Sequence, residues 1–203
     1  MVEYLDSRIG KIFKTLKKQG EFENTLIIFT SDNGGMLSGN CWPLKKSKQD
    51  LEEGGIRVPC LMQWPKVIPS GTVSAQPSIM MDASVTILEA GGARKFVAKD
   101  RKLDGVNLLP FLTSKVEDDP ANRSFGWRRR DWGPTGNYLR QEAYRSGDWK
   151  LIRTYKYLRN KKWSAEYNDE LFNLGQDIGE VENLAGKMPQ KYQEMKTSFD
   201  QWK

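Results

Sequence analysis

Histidine is absent from the 203 residues, so a site built only from this chain lacks the usual general base and the commonest zinc ligand. The two cysteines, Cys41 and Cys60, are too few for a metal cluster and leave open whether one disulfide forms. No signal peptide is recognisable, and no apolar run is long enough to span a bilayer. We therefore predict no membrane partner, and the compartment stays open.

The chain is basic, with a net charge of +6 and 32 basic against 26 acidic residues. A positive balance favours anionic partners such as nucleic acid or sulfated and phosphorylated molecules. The acids and bases are interspersed, however, which is typical of an ordinary solvated surface. Because the basic runs are scattered and no nucleic-acid motif is present, we predict no nucleic-acid partner.

The N-terminal half alternates helical and apolar segments. Apolar residues recur every three or four positions over 1–18, which predicts an amphipathic helix that ends at Gly20. No capping residue precedes this helix, so we expect a chain cut from a longer protein. The unbroken apolar run Leu26 to Phe29 predicts a strand covered on both faces, as in a parallel sheet. A second strand is predicted over Val58 to Gln63, after a long polar loop over 32–55.

A second helix and an apolar island follow. The pattern from Met80 predicts a helix that opens at Asp82 or Ser84 and closes at Gly91-Gly92. A short apolar stretch, Val106 to Leu112, interrupts charged loops. This order of helices and strands indicates an α/β layer.

The C-terminal part changes period. Residues 137–157 alternate apolar and polar around a Ser146-Gly147-Asp148 turn, which predicts an antiparallel hairpin. A strand is expected over 169–174 and a helix from Pro189, with Tyr192, Met195, Phe199 and Trp202 on one face. We therefore predict an α/β fold over 1–115 and a small antiparallel sheet with one helix over 116–203.

Asp32 and Asn33 directly follow the first predicted strand. Ligands of open α/β sheets bind just beyond the carboxyl ends of strands, and carboxylate and amide oxygens suit calcium or magnesium. Gly34 and Gly35 would let the backbone turn tightly beside an ion. The same four residues are also typical of a plain turn, and the pattern alone favours that interpretation.

A lysine-rich segment, residues 44–59, comes next. Lys45, Lys46 and Lys48 are compact positive charges of the kind that bind a tetrahedral oxyanion. The same segment ends in Glu53-Gly54-Gly55 and Arg57. Taken by itself, it is more typical of a solvated surface loop.

Together these segments resemble the sulfatase family, arylsulfatase type, within the alkaline-phosphatase-like superfamily. No single motif decides the resemblance, but six segments occur in the family order. They are "NTLIIFTSDNGG", "LKKSKQDLEEGGIRVP", "PSIMMDASVTILEAGGA", "LDGVNLLPFL", "RSGDWKLIR" and "DELFNLGQDIGEVENLA". The resemblance runs from Met1 to about Lys191 and implies an alkaline-phosphatase-like sheet and hydrolysis of sulfate esters.

The resemblance also implies roles for individual residues. Asp32 and Asn33 fall where the family places two ligands of its active-site Ca²⁺, and Lys48 falls where a lysine binds the sulfate group. Lys46 is the alternative if the register is displaced by two. Glu53 and Arg57 match motif positions, and we expect them to hold the loop through an ion pair or backbone hydrogen bonds. The implied substrate is a sulfated small molecule or glycan.

The family's nucleophile is not found in this chain. Sulfatases use a formylglycine made from a C/S-x-P-x-R motif, whose hydroxyl attacks the sulfate sulfur. The stretch "CWPLK", Cys41 to Lys45, only mimics that motif, because it lies after Asp32-Asn33 and carries lysine for arginine. We therefore expect the C-terminal portion of an exported sulfatase, inactive alone, with weak or absent calcium binding. Its expected partner is the missing N-terminal part of the same enzyme.

Two other functions stay open at this point, a phosphodiesterase or phosphonate hydrolase of the same superfamily and a non-catalytic module that binds anionic glycans. Arg128-Arg129-Arg130 and Lys161-Lys162 fit an anionic polymer or merely exposed strand charges. Four aromatic residues fit sugar stacking, although core packing is expected for most: Trp127, Trp132, Tyr138 and Trp163. Asn122-Arg123-Ser124 is a glycosylation sequon.

Overall fold

The computed structural model describes residues 1–36, 39–119, 123–132, 138–157 and 163–203. Its helices and strands follow in the order α1 (Val2–Lys18), β1 (Ile27–Thr30), α2 (Glu53–Ile56), β2 (Cys60–Gln63), α3 (Met80–Ala90), α4 (Leu109–Leu112), β3 (Ser124–Trp132), β4 (Tyr138–Ser146), β5 (Trp149–Tyr157), β6 (Trp163–Asn173) and α5 (Pro189–Trp202). Three sequence features lie outside the described residues or side chains: Asn122, Lys161-Lys162, and the side chains of Trp132, Tyr138 and Trp163.

Two compact units make up the chain. The first combines Met1–Thr30 with Pro59–Asp118, and the second combines Ser31–Val58 with Asp119–Lys203. The loop that carries Asp32, Asn33 and Lys48 therefore groups with the C-terminal sheet. The division into 1–115 and 116–203 stays a prediction.

The first unit contains the amphipathic helix and a two-stranded sheet. Helix α1 is present as predicted, and the Phe13 ring lies 5.7 Å from the Phe22 ring. Strands β1 and β2 pair antiparallel, with Ile28 opposite Met62, so this pair lacks the parallel arrangement that the apolar run indicated. Neither strand is covered on both faces, since Phe29 on β1 is 44% exposed and Leu61 on β2 is 65% exposed. An unbroken apolar run indicates which side chains can be buried, but it carries no information on strand direction.

Helix α3 begins two residues before Asp82, so neither Asp82 nor Ser84 opens it. Asp82 lies in the first turn, where its Oδ2 accepts a hydrogen bond from the Ile79 backbone N–H at 2.8 Å. Its other oxygen accepts one from the Val106 N–H at 2.8 Å. The helix ends at Gly91 and Gly92 as predicted, and Gly92 has a φ of +62°.

The second unit is built on an antiparallel sheet of four strands in the order β3-β4-β5-β6. The predicted hairpin is β4 and β5, in which Ser146 pairs with Trp149 around the Gly147-Asp148 turn. Strand β6 is longer than the predicted 169–174. Strand β3 does not follow from the alternation of apolar and polar residues, because its Arg128-Arg129-Arg130 run breaks that pattern, although exposed strand charges were one interpretation of the run.

Alternating side chains of this sheet form two separate cores. One core consists of Leu51, Ala143, Ile152, Phe172 and Leu174. The other consists of Tyr144, Leu151, Leu171, Met195 and Phe199. Helix α5 covers the second core with the face predicted from its period, and burying Met195 and Phe199 contributes about 1.5–3 kcal/mol each. The loop around Leu51 covers the first core, and Trp127 packs there as expected.

Candidate functional site

Backbone hydrogen bonds join the two segments that carry the candidate site residues. The Gly34 N–H donates to the Gly55 carbonyl at 2.9 Å, and the Lys48 N–H donates to the Gly35 carbonyl at 2.7 Å. A third bond, from the Gly54 N–H to the Lys45 carbonyl at 2.8 Å, closes the lysine-rich loop on itself. We call residues 31–35 and 44–57, linked by these three bonds, the braced loop. It brings the "DNGG" and "EGG" motifs into contact.

The glycines are needed because the backbones in the braced loop approach one another closely. A Cβ on Gly34 would lie 1.8 Å from the Gly54 carbonyl oxygen. A Cβ on Gly54 would lie 2.3 Å from the Lys46 carbonyl oxygen, and one on Gly55 would lie 2.1 Å from that of Asp50. No side chain fits at these positions. Gly34 and Gly54 therefore serve backbone packing, a role that the sequence pattern did not indicate.

Asp32, Asn33 and Lys48 lie on the outer side of the braced loop. The side chains of Asp32 and Lys48 are exposed, and Asn33 is half-buried. The Asn33 carbonyl accepts a hydrogen bond from Ser31 Oγ at 2.8 Å, which fixes the turn after β1. Lys48 and Asp32 form no ion pair with each other within the described ranges. Both charges are thus presented to solvent from neighbouring stretches of backbone.

The inner side of the braced loop is held by buried charges. Lys150 Nζ lies 2.8 Å from Glu53 Oε1 and 2.8 Å from Glu180 Oε1. All three residues are buried, with Lys150 and Glu180 at 0% exposure and Glu53 at 2%. The Glu53 N–H also donates to Glu180 Oε2 at 2.6 Å. We call Glu53, Lys150 and Glu180 the buried charge triad.

The two carboxyl groups of the triad differ in their electrostatics. Burial alone raises the pKa of Glu53, but Lys150, Arg145 and Arg57 outweigh it, so the pKa lies below its ordinary value. Burial raises the pKa of Glu180, and Lys150 compensates for only part of that effect. Glu53 is thus the more firmly ionised carboxylate of the triad.

Three further contacts hold the braced loop, one within the loop and two to the sheet. Arg57 Nη1 lies 3.3 Å from Glu53 Oε2, which confirms the loop-holding ion pair expected from the sequence. Arg129 pairs with Asp50 at 3.3 Å, and the Leu51 N–H donates to Gln141 Oε1 at 3.2 Å. Lys150 and Glu180 were missed from the sequence. The sequence signal that could have identified Lys150 is its place at an inward-facing position of the alternating β5 pattern, where a lysine needs a buried partner.

The oxygen ligands on the braced loop are few. In the part of the chain that the structure describes, no three carboxylate or cysteine groups converge in the way a metal cluster requires. Asp32 and Asn33 supply one carboxylate and one amide oxygen, the right chemistry for Ca²⁺ but fewer than the six to eight oxygens it takes. Within the same described ranges, no helix has the length and apolarity needed to cross a bilayer.

Comparison with known proteins identifies the family. A family model described as Sulfatase matches residues 1–93, which include Asp32, Asn33 and Lys48. The chain is 32% identical to a sulfatase of Formosa agariphila over 93% of its own length. It is 38% identical to canine N-acetylgalactosamine-6-sulfatase over 91% of its length. The chain belongs to the sulfatase family. It spans 35% and 32% of these two relatives.

Solved sulfatase structures share the fold of this sulfatase-family chain. The crystal structure of Ps i-CgsB in complex with k-i-k-neocarrahexaose superposes with a TM-score of 0.79 at 31% identity, covering 100% of this chain and 41% of that one. BT4656 in complex with its substrate D-glucosamine-2-N,6-O-disulfate gives a TM-score of 0.74 at 26% identity, covering 98% of this chain and 38% of that one. The predicted alkaline-phosphatase-like α/β fold with a small antiparallel sheet is thereby confirmed.

Proposed function

We propose that this chain supplies part of the calcium and sulfate site of a sulfuric ester hydrolase and is inactive alone. The observation that supports the proposal is the braced loop, in which the Lys48 N–H donates to the Gly35 carbonyl at 2.7 Å. This bond keeps a cation and two oxygen ligands on adjacent backbone. The rest of the enzyme would supply the formylglycine and further calcium ligands.

Asp32 and Asn33 are the proposed calcium ligands of this chain. The bound ion would neutralise negative charge on the sulfate oxygens as the ester bond breaks. Because the chain contributes only two of the ligands, we expect calcium affinity in the isolated chain to be weak or absent. The Gly34–Gly55 hydrogen bond fixes the backbone immediately after these ligands, at 2.9 Å.

Lys48 is the proposed sulfate-binding residue. Its side chain is exposed, and a compact ammonium group matches the spread of charge on a tetrahedral oxyanion. Lys46 is exposed too, and it is the alternative if the family register is displaced by two. The backbone favours Lys48, since its N–H bonds directly to the segment that carries Asn33.

The proposed substrate is a sulfated small molecule or glycan, with a sulfated amino sugar as the first choice. Canine N-acetylgalactosamine-6-sulfatase and BT4656, whose substrate in that structure is a glucosamine disulfate, match over 91% and 98% of this chain. Mouse steryl-sulfatase matches over 57%. The two amino-sugar sulfatases thus match over more of the chain, including its C-terminal sheet, than the steryl-sulfatase does. This difference in coverage favours a sugar substrate over a sterol.

The test joins this chain behind the N-terminal part of the Formosa agariphila sulfatase and measures hydrolysis of a 6-sulfated amino sugar. We expect calcium-dependent sulfate release from the joined protein and none from the isolated chain. An aryl phosphodiester and an aryl phosphonate assayed in parallel distinguish the alternative of a phosphodiesterase or phosphonate hydrolase. Hydrolysis of either of these but not of sulfate esters by a folded joined protein would contradict the proposal. So would sulfate release that is unchanged in Asp32→Ala.

A further inference from the structure

The buried charge triad joins the braced loop to strand β5 and to the segment after β6. Its members come from three separate parts of the chain, namely the loop itself, strand β5 and the segment after β6. The side chains of Lys150 and Glu53 are 97 residues apart in sequence and 2.8 Å apart in space. Lys45 Nζ adds a fourth contact by donating to the Glu180 carbonyl at 3.0 Å.

We propose that Lys150, held between Glu53 and Glu180, is a positioning residue that sets the place of Lys48 and of the Asp32-Asn33 turn. The consequence for catalysis rests on the function proposed above, whereas the positioning itself does not. Lys150 touches neither ligand segment directly. It acts through Glu53, which begins α2 and directly precedes Gly54 and Gly55.

The path from Lys150 to the ligand segments consists of hydrogen bonds and ion pairs. Lys150 fixes the Glu53 side chain at 2.8 Å, and Glu180 Oε2 fixes the Glu53 N–H at 2.6 Å. Beyond Glu53, Gly54 bonds to Lys45, and the Gly55 carbonyl accepts the Gly34 N–H. Two anchor points on Glu53 thus fix the positions of the lysine-rich segment and of the turn after β1.

The buried charge triad restrains the position of the braced loop in a way that apolar contacts do not. Replacing a buried ion pair by apolar side chains of equal volume is often neutral for stability, so stability alone gives little reason for a charged triad. Apolar contacts such as those of Leu51 hold the loop on the sheet but are non-directional. Contacts of 2.8 Å to two defined carboxylate oxygens fix one register of the loop. A site in which Lys48 faces a sulfate group requires a loop held in one register.

The chain offers a matched control for Lys150 on the same strand. Arg153 also lies on β5, is also buried at 3% exposure, and pairs with Asp169 at 2.7 Å, but it faces helix α5 instead of the braced loop. Lys150→Met and Arg153→Met each remove one buried, paired cation. Both variants should therefore lose global stability. Only Lys150→Met should also change the position of the braced loop.

Amide hydrogen exchange of the 203-residue chain gives the decisive comparison. In Lys150→Met we expect exchange at Gly34, Lys48, Gly54 and Gly55 to accelerate about tenfold more than global unfolding explains. The Tyr192 amide at the start of α5 should follow global unfolding only. In Arg153→Met, amide exchange in the braced loop should proceed only at the rate that global unfolding explains. Equal acceleration of the loop in both variants, or none in Lys150→Met, would overturn the proposal.

A second pair of variants covers the case in which Lys150→Met does not fold. Glu180→Gln keeps an oxygen that can accept the Glu53 N–H, whereas Glu180→Met removes it. The proposal expects loop protection to be largely retained in Glu180→Gln and lost in Glu180→Met, at comparable global stability. Equal loop protection in these two variants would contradict it.

Inorganic sulfate separates failure of the positioning role from failure of the proposed function. We expect sulfate to shift the NMR signals of the Lys48 side chain in the unmodified chain and to shift them several-fold less in Glu180→Met. If the unmodified chain shows no Lys48 response while loop protection still depends on Lys150, positioning stands and the sulfate role fails. If Lys48 responds equally in both proteins, the positioning role fails.

Discussion

At the scale of single residues, the second unit contains charges that are buried yet fully paired. Glu142 is the clearest case, because its exposed fraction is 0% and cations approach it from several elements. Lys203 lies 3.0 Å away, Arg140 3.1 Å and Arg128 3.2 Å. The Tyr155 hydroxyl donates to it at 2.7 Å. Burial opposes ionisation, but these contacts outweigh it and lower the pKa of Glu142 from 4.5 to about 2.

This pKa makes stability depend on pH in a defined direction. Because the folded-state pKa is below the unfolded one, Glu142 stabilises the fold above pH 4.5 and loses that effect as the pH falls towards 2. We expect Glu142→Gln to lower the free energy of unfolding by about 2–3 kcal/mol at neutral pH and by progressively less in acid.

Urea unfolding across this pH range measures the effect. Glu182→Gln is the control, because Glu182 pairs with Lys187 at the surface, where an ion pair contributes about 0–1 kcal/mol. A difference between Glu142→Gln and the unmodified chain that stays constant down to about pH 2 would show that ionisation of Glu142 is not the cause.

At the scale of elements, the braced loop depends on close backbone packing at its glycines. Gly54 is buried, and a Cβ there would meet two backbone oxygens, those of Lys46 at 2.3 Å and Lys45 at 2.4 Å. The Lys45 oxygen also accepts the Gly54 N–H, so moving it away would break that hydrogen bond. The lysine loop and the "EGG" motif are therefore one packed element.

We expect Gly54→Ala to lower the free energy of unfolding by about 1–3 kcal/mol, because the added methyl group overpacks the braced loop. Gly186→Ala is the matched control, since a Cβ added at Gly186 would have nothing within 4 Å. The control should be neutral or slightly stabilising. Chemical denaturation compares the two, and equal stability of both variants would mean that the loop tolerates a displaced backbone.

Sequence periodicity predicted the elements whose contacts are local. The β4–β5 hairpin follows from alternation around Ser146-Gly147-Asp148, and α5 follows from its helical apolar face. The direction of β1 against β2 did not follow, because an apolar run looks the same in either direction. The family motifs supplied Asp32, Asn33 and Lys48 as candidates, and their roles stay predictions.

What the sequence does not reveal is the part of the site that depends on distant residues. The Glu53 N–H and the Glu180 carboxylate are 127 residues apart, and neither position carries a local signal that they meet. The close approach of Gly34 to Gly54 is equally non-local. Long-range pairings of this kind are set by tertiary packing, which a window of neighbouring residues does not contain.

At the scale of the whole molecule, the first unit exposes much apolar surface. Large apolar side chains are well exposed on α1, β1 and β2: Leu5 at 53%, Ile12 at 58%, Phe29 at 44% and Leu61 at 65%. An open cleft of about 720 Å³ adjoins β2 and is lined by Leu61, Met62, Ile68, Leu108 and Phe111. Exposed apolar surface of this extent is typical of interfaces and of chains that associate.

We therefore expect the isolated chain to bind an apolar-surface dye and to self-associate. Leu61→Thr, on the exposed side of β2, should reduce both effects, because it removes apolar area from a side chain that is 65% exposed. Analytical ultracentrifugation and dye fluorescence measure them. A monodisperse monomer without dye binding would contradict this expectation.

Lys48 of the braced loop is the proposed sulfate-binding residue, and the proposed function depends on it. The most direct measurement is kcat/KM for a sulfated amino sugar in the joined enzyme, compared between Lys48→Met and Lys46→Met. Both lysines are exposed and lie on the same loop, so charge and general surface effects are matched. We predict a loss of about 100-fold or more for Lys48→Met and a change within about threefold for Lys46→Met. A large loss for Lys46→Met with Lys48→Met unaffected would contradict the claim.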